Sequence, residues 1–132
     1  MAITKVTGDV IANDAIDHDQ LANRYTASVS KTSATTVTCN KNNGDIFTWT
    51  LGHDVSVKFT NVKVGDIATL IITGGSSTYS ITLPTADGIN GASSTFNKIS
   101  GDFVYTSGTK NLVEFKFIST SEAWYQISQI AS

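Results

Sequence analysis

The chain has 132 residues, of which 40 % are hydrophobic and only 15 % charged, and its net charge is −2. A chain of this length is most simply one domain, which buries about two-thirds of its unfolded surface and folds without staples. The weak negative charge excludes nucleic acid as an expected partner, since its binders carry a basic stripe that neutralises phosphates.

Cys39 is the single cysteine, so neither an intrachain disulfide nor a cysteine metal framework can form within one copy. No basic segment followed by an apolar stretch opens the chain, and no run approaches the 18 or so apolar residues that cross a bilayer. A soluble protein without a standard export signal or a membrane partner is expected.

Residues 1–24 differ in composition from the rest. They carry four aspartates between Gly8 and Ala22 and little of the threonine alternation that follows. Asp17-x-x-Gln20 has the spacing of a capping box, and Ile16 and Leu21 flank it as a hydrophobic staple. This predicts an N-terminal arm, with an extended segment over 3–11 and one short helical turn at 18–23. Such a turn is too short to hold alone and must dock on something.

From residue 25 to 132 the pattern is strand, turn, strand. Residues 25–31 and 35–39 are hydroxyl-rich strand candidates, the second with Val37 and Cys39 on one face. Asn42-Asn43-Gly44-Asp45 predicts a tight hairpin turn at positive φ. Phe47, Trp49 and Leu51 share one face of the next strand, and Val55, Val57 and Phe59 one face of the strand after it.

Residues 67–73 are almost continuously apolar, the pattern of a central strand covered on both faces. Tyr79, Ile81 and Leu83 alternate until Pro84 stops them. Residues 85–98 read as a long surface loop with a brief extended piece near 96–99, and 102–105 as another strand.

The chain closes on a hairpin. Val113, Phe115 and Phe117 share one face of its first strand, and Tyr125 and Ile127 share one face of the second. Connections too short for crossover helices imply antiparallel pairing. The predicted fold is therefore all-β: an antiparallel, jelly-roll-like β-sandwich of about eight strands over 25–132, preceded by the arm. No internal repeat is visible.

Chemistry is sparse. His18 lies in the arm and His53 in a turn beside Asp54, and no serine has the strained setting of a nucleophile. Asp14, Asp17 and Asp19 match no calcium-loop spacing. Cys39 reads as a buried apolar residue, and Gly74-Gly75 lacks the lysine and helix of a phosphate loop. Trp49, Trp124 and Tyr125 offer aromatic faces for a sugar, although core packing is their commoner use. No enzyme, cofactor or metal is expected.

Two segments stand apart as motifs. One is the opening, where Thr7-Gly8-Asp9-Val10-Ile11 leads through Asp14-Ala15-Ile16 to Leu21-Ala22. The other is the closing pair, Asn111 to Ser119 and Glu122 to Ile127. Both resemble segments of small virion proteins of tailed bacteriophages. The resemblance implies a non-enzymatic and usually trimeric structural component that docks through its arm. Val10, Ile11, Asp14, Ile16, Asp17 and Leu21 are then the partner-binding candidates, with Asp87, Asn90 and Phe96 of the long loop as a second contact.

Read as one short domain without a repetitive shaft, the chain fits best a homotrimeric capsid decoration, or cement, protein. It would be made in the host cytoplasm and placed on the head surface against the major capsid protein. A head or tail fibre protein that attaches to the host surface is the alternative, and a carbohydrate-binding β-sandwich module is the third reading.

Overall fold

A computed structural model describes residues 27–130. Nine strands occur among them, with no helix: β1 (Ser28–Ser30), β2 (Thr36–Asn40), β3 (Ile46–Thr50), β4 (Val55–Thr60), β5 (Ile67–Thr73), β6 (Ile81–Thr82), β7 (Thr95–Ser100), β8 (Lys110–Phe117) and β9 (Glu122–Gln129). The predicted arm, with its helical turn at 18–23, lies outside the described residues.

The first six strands alternate between two sheets. β1, β3 and β5 lie side by side in a six-stranded sheet ordered β1-β3-β5-β8-β9-β7, while β2, β4 and β6 form a three-stranded sheet. All pairs within these two trios are parallel. The chain therefore coils, passing once through each sheet per turn, and the architecture is a β-solenoid.

The antiparallel jelly-roll sandwich expected from the sequence is thus incorrect. Short connections rule out a crossover helix, but a parallel pair needs only a dozen or so residues to return. Here the return path is a strand in the opposite sheet.

The same geometry corrects the turn at Asn42-Asn43-Gly44-Asp45. The backbone N–H of Asn43 donates to the Asn40 carbonyl at 2.9 Å, but β2 and β3 belong to different sheets. Gly44 is not among the glycines at positive φ, and the segment is a corner rather than a hairpin.

In-register stacking builds the core. Val29, Phe47, Leu70, Val113 and Ile127 form one row straight across five strands. Cys39, Phe59 and Ile89 stack in the smaller sheet, and Val37 beside Val57 extends that wall. Phe59 sits where the walls meet, with ring centroids 4.9 Å from Phe115 and 5.1 Å from Phe117. Full burial of a side chain of this size contributes about 1.5–3 kcal/mol.

The closing hairpin is antiparallel, as expected, with Val113 opposite Ile127 and Phe115 opposite Tyr125. It closes the solenoid by laying β8 antiparallel on β5. β7 then pairs in parallel with β9, with an irregularity between Lys98 and Ser100.

Two other expectations change. Residues 102–105 form no strand; this segment is held by a side chain instead, since Asn111 bonds both the N–H and the carbonyl of Val104. β5 is central in its sheet, but among the described residues only its inner face is fully buried, with Thr69, Ile71 and Thr73 of the outer face half-buried. Ala68, Leu70 and Ile72 are buried, whereas Ile67 is 56 % exposed.

Candidate functional site

Among the described residues, those weighed for catalysis do not assemble into a site, and His18 lies outside the described residues. Ser33 Oγ lies 3.3 Å from His53 Nδ1, a proximity across twenty residues of sequence that no spacing signals. Both members sit at the surface, and the same Ser33 oxygen accepts the Gly52 N–H at 2.8 Å. The Asp54 carboxylate accepts the Ser80 N–H at 2.8 Å, so it pins a corner of the solenoid. An activated serine needs a base oriented by a third group, and among the described residues the one side-chain hydrogen bond of His53 is to Ser33.

Cys39 is fully buried. Burial pushes its thiol from 9.0 up to about 12, against a weaker opposing pull from Lys31 and Lys41. A thiol held neutral in this way is a poor nucleophile and a poor metal ligand. No cluster of three or more metal-ligating side chains occurs among the described residues. Asp14, Asp17 and Asp19 lie outside them, as do the arm candidates Val10, Ile11, Ile16 and Leu21.

The three loop candidates are each engaged in holding the fold. Asp87 forms an ion pair with Lys58. Asn90 has a left-handed φ of 54°, and its side chain bonds the N–H and carbonyl of Val62 and the Thr120 carbonyl. Phe96 is half-buried against Phe59 and Phe115. A cleft of about 640 Å³ runs beside this corner, lined by Asn42, Thr60, Asn61, Val62, Lys63 and Asn90. Much of its polar lining is already spent internally, since Asn61 donates to Asn40 at 2.8 Å.

The aromatic trio is dispersed. Trp49 is 5 % exposed and Tyr125 stacks on Phe115 from the inner side. Trp124 alone faces outward, at 48 % exposure.

Around Trp124 lies the surface that best qualifies as a binding site, the outer face of the six-stranded sheet. Strand alternation puts Ile67, Lys116 and Trp124 in one outward row and Ile46, Thr69, Glu114 and Gln126 in the next. Ile46, Ile67, Ile99 and Trp124 are all at least 40 % exposed. A cleft of about 310 Å³ opens between Ile67, Ile99 and Trp124.

The Trp124 ring is braced there. Its indole N–H donates to Glu122 Oε1 at 3.3 Å, and the same oxygen accepts the Asn97 amide at 2.8 Å. A preset aromatic flanked by aliphatic side chains is the usual anchor of a protein contact. Alternation within β9 marked Trp124 as pointing away from Tyr125, but the clustering with Ile67 and Ile99 depends on strand order.

No family model, curated protein or solved structure matches the chain.

Proposed function

We propose that this protein is a non-enzymatic structural component of a tailed-bacteriophage virion. In this reading it is a homotrimeric capsid decoration protein that binds the major capsid protein through residues 1–24. The observation that carries the reading is the pairing of a β-solenoid, without assembled chemistry among its described residues, with a sheet face on which Ile46, Ile67, Ile99 and Trp124 are exposed. Such a body is built to be held and to hold. The resemblance of the opening and closing segments to phage virion proteins supplies the particle.

The test is binding of the full chain to capsids that lack it. Changing Ile16→Asp together with Leu21→Asp should abolish co-sedimentation with the capsid while leaving the thermal midpoint of the β-domain unchanged. Retained binding by this variant would refute docking through the arm.

A fibre role is favoured by one specific feature, the parallel coil, because solenoid turns stack in one dimension and suit an elongated particle. In that case the corner around Asp87 and Asn90 would meet the host surface. Binding of the purified chain to host cells or to a glycan array, unaffected by the arm changes, would select this second reading.

A further inference from the structure

We infer that the outer face of the six-stranded sheet is where a second copy of this chain docks. Three observations point to self-association rather than to solvent. First, residues 67–73 are nearly continuously apolar, the pattern of a strand buried on both sides, yet Ile67 is 56 % exposed. One face of β5 is written for a cover that the described residues do not supply.

Second, the face has two apolar flanks, Ile46 and Ile67 on the β3–β5 side and Trp124 and Ile99 on the β9–β7 side. Between them runs β8, whose outward Glu114 and Lys116 stand two residues apart and exposed. Third, neither of these charges has an ion-pair partner among the described residues. Glu114 meets only the Gln126 amide, at 3.4 Å.

A negative and a positive charge side by side, flanked by apolar surface on both sides, make a self-complementary patch. A second copy can place its Lys116 against Glu114 and its β9–β7 flank against the β3–β5 flank. The same face serves both copies, so the contact is isologous, about a two-fold axis, and its unit is a dimer. It stands apart from the trimer proposed above, which would need a different contact elsewhere on the chain.

The experiment is the mass of the full chain in solution, by light scattering on a size-exclusion column, with circular dichroism and thermal midpoint as fold controls. The wild type should run at twice the chain mass. Glu114→Lys alone and Lys116→Glu alone should each drop it to monomer, weakening association by about a hundredfold or more. The double exchange should restore the oligomer, because it rebuilds the pair with its signs reversed, and Trp124→Glu should not be rescued by it.

An oligomer untouched by all these changes overturns the interface, and a trimer of that kind leaves the trimeric assembly standing. A wild-type dimer that responds as described supports the interface and overturns the trimer. A wild-type monomer at high concentration overturns both. A monomer whose thermal midpoint falls on Trp124→Glu assigns the face to another part of its own chain, which also overturns the proposal.

Discussion

Asn111 shows how much one polar side chain can organise. It is fully buried on β8, donates to the carbonyls of Ile72 and Val104, and accepts from the Val104 N–H and the Gln129 amide. A segment that makes no ladder of its own is thereby attached to the sheet. Asn111→Leu should destabilise the protein by about 2–4 kcal/mol in urea denaturation, because the Val104 backbone groups lose their partners. Alternation puts Asn111 in the inward register of Val113, Phe115 and Phe117, but nothing in the sequence shows which backbone groups its amide would meet.

Cys39 gives a second prediction at this scale, and its burial was legible from its place beside Val37. Its folded pKa is raised, so its contribution to stability is fully present below pH 9, the ordinary value, and fades as pH rises toward about 12. Over that window the unfolded chain releases the thiol proton and the folded chain keeps it. Stability should fall by up to about 1.4 kcal/mol per pH unit from this group. Cys39→Val should remove that part of the slope, and the folded wild type should resist thiol reagents at neutral pH.

At the level of elements, the corners decide the fold. Lys41, the residue directly after β2, is fully buried, and its ammonium group meets the Asp45 carboxylate and the carbonyls of Gly44 and Ile67. It fastens the corner between the two sheets to the start of β5. Lys41→Met should cost about 3 kcal/mol, read as a lower denaturation midpoint, since it removes the ion pair to Asp45 and the donor to two carbonyls.

Gly101 controls another corner. Its φ is +82°, and a Cβ there would lie 1.8 Å from the Ile127 carbonyl oxygen. Gly101→Ala should lower stability by about 3 kcal/mol or more through strain and collision with β9. The strands between the corners were readable from alternation alone. The corners were not, because Asn-Gly serves a hairpin and a solenoid corner equally well.

For the whole molecule, pairing predicts where stability lies. β5 and β8 share seven register positions at the centre of the large sheet, whereas β1 pairs over three residues and β6 over two. Hydrogen exchange should therefore find the β5 and β8 amides most protected and those of β1 and β6 released first, by local opening. Uniform protection across all strands would contradict this.

The solenoid also explains why no repeat was visible. Ser28 sits beside Ile46, Thr36 beside Ser56, Ile46 beside Thr69 and Val55 beside Ile81, so the offset per turn drifts from 18 through 20 and 23 to 26 residues. A coil with turns of unequal length leaves no fixed period in its sequence.

By itself the sequence determined the all-β class, most strand positions and which side of each strand faces the core, including the inward set on β8 and β9. Those features are local, since side chains alternate every two residues whatever the strand pairs with. Only the tertiary structure decided which strands are neighbours, that the first six run parallel, and that Ile46, Ile67, Ile99 and Trp124 share one open face. Strand pairing is made by backbone N–H and carbonyl groups, which are the same in almost every residue. Alternation therefore carries no record of the partner, and the outer face comes into being only when the coil closes.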